Sequence, residues 1–433
     1  MTVFGLLFND HLPRHGAFRR LLQGQVLSTF GGQMGALAIP TVAIVSLHAS
    51  PMEVGILAAL PWLPAPLVGL PVGVIIDRLP RRPVMIASEV GRWLMLAALA
   101  FGVLTGTITL LQLFVVATVT GILGVFFDTA YMAYVPATLE GDEILHANSA
   151  ITVAKAPALV GGPALAGFTI QALGPAGALI ANSAGNLLSG LLLVSIRGPE
   201  GPDRRRRRRS LFEELREGVD VVVKNPVLRT IATATGVSNV GVFMFASVSL
   251  VFAYRLLLLP PWLVGVVLAV GNLGFVLGAA AAPAWVRQLG LGRTLALSQL
   301  FLALSLFTAP LSMFGMPFVL LAASQLLQNV NSEIYNLNQV SLRQAMTPAH
   351  LQGRMNATVR VAILGAIPIG TLLGGYLGTT LGVVQTMLIG ASICLLAPLF
   401  ILSGPLIRLR QLETPPKPEP ELVLEGQLVD APA

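Results

Sequence analysis

Gly73-Val-Ile-Ile-Asp77-Arg78-Leu-Pro-Arg81-Arg82 is a short charged stretch in a chain that is otherwise strongly apolar. One aspartate and three arginines stand within its last six residues, whereas the runs before and after it carry few charges. An apolar run of about 20 residues is long enough to cross the hydrocarbon of a bilayer as a helix. The stretch therefore predicts a polar loop between two membrane-spanning helices.

The composition of the whole chain agrees with that interpretation. Of the 433 residues, 55% are hydrophobic and only 11% are charged, and the mean hydropathy is +0.78. A soluble domain carries about a quarter charged residues. The outer surface of this protein must therefore face lipid, and we expect an all-α polytopic membrane protein.

Twelve apolar runs are long enough to span a membrane. The first is too long for a removable signal peptide, and no small-residue cleavage site follows it. The runs cover roughly 21–46, 54–76, 84–104, 109–137, 148–172, 176–196, 228–257, 262–286, 293–311, 316–345, 356–380 and 383–404.

The basic residues predict the orientation. An even number of spans puts both termini on one side, and all but one of the 27 Lys and Arg, Arg255, lie on or toward that side. The positive-inside rule makes it the cytoplasm. The six-arginine run Arg204–Arg209 is then expected to anchor topology at anionic lipid headgroups rather than to bind nucleic acid. The single Cys394 excludes an internal disulfide and a cysteine-cluster metal site.

The chain divides into two halves that repeat each other. We expect six-helix bundles at 1–197 and 228–405, a cytoplasmic linker with an amphipathic helix at 198–227, and a disordered cytoplasmic tail at 406–433. Parallel repeats about an axis along the membrane normal are typical of one large class of transporters. The matches at a constant offset of 208 residues include Asp128 with Asn336, Asn148 with Asn356, Gly162 with Gly370, and Gly167 with Gly375.

The charged stretch from Gly73 to Arg82 resembles the loop signature of the major facilitator superfamily. Its Gly73 allows two helices to approach closely, and Asp77 can interact with the positive end of a helix dipole. The resemblance implies two pseudo-symmetric bundles of six helices around a central cavity. It also implies that Asp77, with Arg78, Arg81 and Arg82, belongs to a cytoplasmic latch that favours the outward-facing state.

A second motif narrows the resemblance. Gly162, Pro163 and Gly167 in span five look like the Gly-Pro motif of antiporter branches, although ordinary close helix packing is the alternative. The run Phe127-Asp-Thr-Ala-Tyr and the later Ser341-Leu-Arg343 resemble the bacterial subgroup of enterobactin exporters and macrolide-efflux proteins. The subgroup implies an exporter in the bacterial inner membrane, which we expect to be a monomer.

Charged residues inside the membrane are costly and mark candidate functional positions. Glu333 lies near the middle of span ten, and Asp128 lies roughly 13 Å deep in span four, given a rise of about 1.5 Å per residue. Lys155 is at a similar depth and is the expected charge partner of Asp128. Because desolvation disfavours a buried carboxylate's charged form, we expect Glu333 to carry the coupling proton, with Asp128 second.

Other polar side chains are expected nearby. In the superfamily's fold, spans one, four, seven and ten line the cavity, which makes Gln33, Asn239 and Asn336 cavity candidates. Arg92, one to two turns inside its helix, is expected to reach back to the cytoplasmic surface.

Several functional classes compete. An ATP-driven pump is disfavoured because no lysine follows a glycine, so the sequence has no phosphate-binding loop. A membrane enzyme is disfavoured because the five histidines form no cluster, and we expect neither a cofactor nor a bound metal. The expected activity is proton antiport that exports amphipathic drug- or siderophore-like molecules. The alternatives are a proton-coupled uptake symporter of a small organic solute and a ferroportin-like metal exporter.

Overall fold

The computed structural model describes residues 16–138, 142–196, 219–220, 222–347 and 351–409, and this part of the chain is helical and contains no strand. Its α-helices are α1 Gly16–Thr41, α2 Pro51–Ala59, α3 Pro64–Ile76, α4 Arg81–Leu104, α5 Leu110–Thr138, α6 Asp142–Ser195, α7 Pro226–Val251, α8 Pro261–Leu289, α9 Leu291–Leu311, α10 Pro317–Met346, α11 Gln352–Thr380, α12 Val383–Cys394 and α13 Leu396–Ser403. The linker's Arg204–Arg209 and most of the tail lie outside the described residues.

Ten helices of the described chain are long and apolar enough to cross a membrane. The longest, α6, is interrupted at Gly174 (φ 71°, ψ 173°), a conformation that glycine adopts without strain, so its two arms are separate helices. Helix α10 has 30 residues but is too polar to count among the ten. Counting the arms of α6 separately and adding α10 gives the twelve spans that the sequence predicts, and that number stays a prediction.

The second predicted span, 54–76, is not one continuous helix. It is divided into α2 and α3 by a turn that contains Pro61. Pro64 stands at the start of α3, where a missing amide hydrogen costs least. A Cβ atom on Gly121 would lie 2.7 Å from the carbonyl oxygen of Pro61, so α5 approaches this break closely.

The repeat of the two halves is visible in local geometry. Each of the helices α1 and α7 is followed directly by a π-helical segment, Val42–Ser46 after α1 and Phe252–Leu256 after α7. The two segments are 210 residues apart. At the same offset, His48 (φ 51°) and Leu258 (φ 52°) share a left-handed backbone conformation. Pro51 and Pro261 then begin α2 and α8, so the same entry into the second helix occurs in both halves.

The two halves are joined at one end through glycine contacts. A Cβ atom on Gly167 of α6 would lie 2.5 Å from the carbonyl oxygen of Pro261 at the start of α8. In the second contact, a Cβ atom on Gly55 of α2 would lie 2.6 Å from the carbonyl oxygen of Thr371 of α11. Glycine allows helix backbones to approach this closely. The predicted motif residue Gly167 is therefore part of the contact between the halves.

Hydrogen bonds cross between the halves at the same end. The hydroxyl groups of Thr41 and Tyr254 are 2.9 Å apart and buried. The guanidinium of Arg255 donates to the carbonyl oxygen of Ile44 at 3.0 Å. Nearby, the amide of Met52 donates to the hydroxyl of Thr379 at 3.0 Å. This end, which we call the closed end, is the predicted periplasmic side.

The opposite end has a separate apolar core in each half. One buried cluster is made only of residues between 18 and 196, and another only of residues between 227 and 406, whereas the large cluster at the closed end takes residues from both halves. The halves are thus packed together at the closed end and apart at the other. With the predicted orientation, this is an inward-facing arrangement.

Candidate transport cavity

Two adjoining cavities are lined by described residues of several helices. The first-half cavity has a volume of about 500 Å³ and lies between α1, α2, α4, α5, α6 and the middle of α7. The second-half cavity, of about 370 Å³, lies among α7, α8 and α10. Both are lined by Ala246 and Leu250 of α7, so they adjoin along that helix.

The first-half cavity combines a broad apolar wall with a few polar groups. Leu57, Trp62 and Leu96 are among its apolar side chains, and Asn182 and Asn186 of α6 supply amides. Cavities of this composition fit small organic molecules, because apolar walls bury the body of a ligand and few polar groups orient it.

A buried ion pair borders the first-half cavity. Arg92 of α4 lines the cavity, and its Nη2 lies 3.1 Å from Oε1 of Glu89, one turn earlier on the same helix. The Glu89 side chain is completely buried and accepts a hydrogen bond of 3.0 Å from the hydroxyl of Ser189 of α6. The guanidinium of Arg92 also lies 4.8 Å from the ring centroid of Phe127, a cation–π distance.

Asp128 and Lys155 extend this group of charges. Asp128 is exposed in the described structure and interacts electrostatically with Glu89 and with Lys155. The ammonium of Lys155 lies 5.6 Å from the ring centroid of Tyr131, which stacks on Phe127. Lys155, the predicted charge partner, therefore interacts with Asp128, while Asp128 also interacts with Glu89 and Lys155 also lies near the ring of Tyr131.

Glu333 lies on the other side of the molecule, against α8. If Gly278 of α8 carried a Cβ atom, that atom would lie 2.9 Å from the Cβ of Glu333. The carboxylate of Glu333 is hydrogen-bonded to the side chain of Asn336. Glu333 is half-buried and follows Asn329, a residue of the second-half cavity, by about one turn. Neither Glu333 nor Asp128 is among the residues that line the two cavities.

The predicted polar candidates are distributed among several environments. Gln33 of α1 packs against Gly162 of α6, where an added Cβ atom would lie 2.6 Å from the Cβ of Gln33. Asn239 of α7 is partly buried, and Asn336 is exposed. None of the three lines either cavity, whose amides come instead from positions such as Asn182, Gln325 and Gln328.

The loop signature is not engaged between the halves in this arrangement. Space beside Gly73 is open, and Asp77 and Arg78 are exposed. Arg82 donates to the carbonyl oxygens of Leu193 and Val194 at 2.9 and 2.6 Å, near the end of α6.

Arg81 donates to the carbonyl oxygen of Ala133 at 2.9 Å. The basic pair thus donates to backbone carbonyl groups within its own half. The latch role of Asp77 needs the other conformation, and it remains a prediction.

We expect Asp77→Asn to increase the inward-open population. It removes a charge that stabilises a helix N-terminus by typically about 0.3–1 kcal/mol, and up to about 2 kcal/mol. Ala36, which is exposed and lines the first-half cavity, is a suitable reporter as Ala36→Cys, with the buried Cys394 replaced by alanine. An impermeant maleimide should label it faster from the cytoplasmic side.

The control for this prediction is Asp220→Asn, which removes an exposed carboxylate paired with Lys224. Equal labelling rates for Asp77→Asn and the unsubstituted protein would mean that Asp77 is only a loop residue.

The described residues contain no group of three or more His, Cys, Asp or Glu placed to hold a metal ion. Cys394 is buried, and its thiol lies 3.5 Å from the carbonyl oxygen of Ser238. The first-half cavity therefore offers apolar surface, hydroxyl groups, amides and one ion pair at its border.

Two bundles of helices around an interior cavity, which among the described residues pack together at the closed end, have the architecture of a membrane transporter with the major facilitator fold. The chain belongs to the transmembrane secretion effector family of that superfamily, whose family model matches residues 12–431. This confirms the superfamily and the helical fold predicted from the sequence, and the chain is a transporter rather than an enzyme.

Two relatives match nearly the full chain. The multidrug efflux pump Tap of Mycolicibacterium fortuitum is 27% identical over 421 residues, which cover 94% of this chain and 99% of Tap. The uncharacterized MFS-type transporter YfiS of Bacillus subtilis is 24% identical over 403 residues, covering 89% and 92% of the two chains.

Solved structures share the fold. A bacterial homologue of the iron transporter ferroportin in an inward-facing state superposes with a TM-score of 0.72 at 17% identity, covering 89% of this chain and 98% of that one. The nucleoside transporter NupG, as its D323A mutant, gives 0.69 at 13%, covering 89% and 99%. A bacterial homologue of the lysosomal transporter Spinster, also inward-facing, gives 0.67 at 12%, covering 89% and 96%.

Glu89 does not stand out in the sequence, and the position of Arg92 predicts that its side chain reaches the membrane surface. The structure shows that only 19% of the Arg92 side chain is exposed, so the prediction that it reaches the cytoplasmic surface is wrong. The signal available in the sequence was the spacing of three, since oppositely charged residues at i and i+3 share a helix face.

Proposed function

We propose that this protein exports amphipathic small organic molecules by proton antiport with alternating access. The observation that carries the proposal is the first-half cavity, where aliphatic and aromatic side chains meet amides and a buried ion pair. Such a surface suits a molecule with an apolar body and a small polar or charged group. A sugar would need many more hydrogen-bonding side chains.

The direction of transport is supported by similarity to Tap, whose name describes a multidrug efflux pump. The Gly162, Pro163 and Gly167 motif supports a different part of the proposal, alternating access, because Gly167 contacts the start of α8 at the closed end. Alternating access requires that contact to form and break, and small residues make close contact possible without bulky interlocking side chains.

The coupling ion is proposed to be the proton, with Glu333 the first carrier and Asp128 the second. Glu333 is half-buried between α10 and α8, two helices that also line the second-half cavity. Asp128 is ranked second because it interacts electrostatically with Lys155, its predicted charge partner. The proposed setting is a bacterial inner membrane, with cytoplasmic termini and Arg204–Arg209 at lipid headgroups, and the proposed unit is a monomer.

Reconstitution into liposomes tests the proposal. With an imposed pH gradient, protein-containing vesicles should accumulate rhodamine 123 or ethidium on the acidic side, and a protonophore should abolish the accumulation. Accumulation on the alkaline side would instead indicate symport. Gradient-independent behaviour of every dye would contradict proton coupling.

Metal export is the remaining alternative. Its support is the fold shared with the ferroportin homologue. At 17% identity, that similarity shows a common fold and not a common substrate. Uptake of radioactive Fe²⁺ or Mn²⁺ in the same vesicles tests it directly, and metal transport without dye transport would replace the proposal.

A further inference from the structure

Arg92 is positioned to bind a ligand rather than only to neutralise Glu89. It lines the first-half cavity, and its Cζ lies 4.8 Å from the ring centroid of Phe127. Although Nη2 lies 3.1 Å from Glu89, neither Nη2 nor Nε makes a hydrogen bond within the described chain. A buried guanidinium with unused donors is costly, because each donor has lost water without gaining an acceptor.

Glu89 is also incompletely satisfied. Its Oε1 accepts from Ser189 and faces Arg92, and the Ser28 side chain also interacts with the carboxylate, but no hydrogen bond of good geometry from the described residues reaches the buried Oε2. A pair that served only to hold helices together would be expected to use its hydrogen-bonding capacity fully. The exposed 19% of the Arg92 side chain is the part that a ligand in the first-half cavity can reach, so the guanidinium can bind a third group from that side.

The pair remains intact when the halves move apart. Glu89 and Arg92 are on one helix, and their neighbours Ser189 and Phe127 belong to the same half. Motion of α7–α13 relative to this half does not separate them. Their position thus suits a binding site that persists in both conformations, and not a contact that opens and closes.

We propose that Arg92 binds an anionic group of the transported molecule, a carboxylate or sulfonate, while the apolar wall binds its body, and that Glu89 competes with that group for the guanidinium. Arginine presents a planar fork of donors that matches a carboxylate or sulfonate. Leu57, Trp62 and Leu96 provide apolar contacts in the same cavity. The inference rests on the proposed function and adds amphipathic organic anions to the substrates, beside the cationic dyes that test that function.

Binding in nanodiscs without any ion gradient tests this inference separately from transport. The probes are fluorescein, an amphipathic anion, and rhodamine 123, a cation on the same ring framework, measured by fluorescence polarisation. Arg92→Gln should weaken fluorescein binding roughly tenfold or more, because it removes a charge-assisted hydrogen bond. The affinity for rhodamine 123 should stay within about twofold of the wild-type value.

The opposite change is expected for the partner residue. Glu89→Gln should strengthen fluorescein binding several-fold, because it removes the like charge that competes for Arg92. Arg92→Gln leaves a buried carboxylate without its counter-charge, which destabilises the fold, so the double variant Glu89→Gln/Arg92→Gln provides a second measurement. It should fold and bind fluorescein as weakly as Arg92→Gln.

Arg343→Gln is the matched control. Arg343 is buried, and its Nε and Nη1 also lack hydrogen bonds within the described chain, but it lines neither cavity. Fluorescein binding should survive this substitution. Equal losses for fluorescein and rhodamine 123 in the double variant, or weaker fluorescein binding in Glu89→Gln, would overturn the inference. So would wild-type protein that does not bind fluorescein, even if dye export driven by a pH gradient succeeds.

Discussion

Glu333→Gln should leave the protein able to exchange substrate across the membrane but unable to concentrate it. Glutamine keeps the size of the side chain and can still interact with Asn336, but it cannot bind and release a proton. In proteoliposomes with an imposed pH gradient, we expect accumulation of rhodamine 123 to fall to the level of protein-free vesicles. Downhill exchange of preloaded dye should continue at close to the wild-type rate.

The control for that experiment is Glu143→Gln, an exposed carboxylate near the start of α6, which should accumulate dye normally. A Glu333→Gln protein that concentrates dye as well as wild type would show that the proton assignment is wrong. If Asp128→Asn alone abolishes accumulation, the two carboxylates have the reverse of the proposed roles.

The second large effect is expected at the closed end. Gly167→Ala would place a Cβ atom 2.5 Å from the carbonyl oxygen of Pro261, a backbone atom that cannot rotate away. Overpacking of this kind typically costs about 1–3 kcal/mol. Because the contact exists only when the closed end is closed, the substitution should shift most molecules toward the outward-open state.

Electron paramagnetic resonance can measure this shift. Spin labels at Thr105→Cys and Phe314→Cys, both exposed and located after α4 and α9, report the separation of the halves. Gly161→Ala is the matched control, because the same helix gains the same methyl group where no neighbour lies within 4 Å. Identical distance distributions in Gly167→Ala and Gly161→Ala would contradict a role for the glycine contact.

The sequence predicts the fold well because the bilayer imposes a length on every span. The predicted run 316–345 differs by one residue at each end from α10, Pro317–Met346. The break between α2 and α3 was not predicted, because prolines inside membrane helices are often tolerated. Whether Pro61 bends or interrupts a helix depends on neighbours such as Gly121, which sequence spacing does not reveal.

The site was harder to predict than the fold. Isolated carboxylates such as Glu333 and Asp128 are conspicuous in apolar runs, so their selection needs no structure. Glu89 and Arg92 stand close together near a helix end, where charges usually reach the headgroups. Only the approach of α6, which brings Ser189 within 3.0 Å of Glu89, shows that the pair is buried.

The arginines that predict orientation also bind the ends of helices. Arg82 and Arg20 both donate to the last carbonyl groups of α6, at Leu193, Val194 and Ser195, where a helix leaves its acceptors without partners. Removing such an arginine to invert the chain during biogenesis would also uncap α6. In an insertion assay, Arg82→Ala would therefore change two things at once, the charge that sets topology and the hydrogen bonds that cap α6. Arg82→Lys keeps the charge but lacks the planar guanidinium that binds both carbonyl groups, so it separates the two effects.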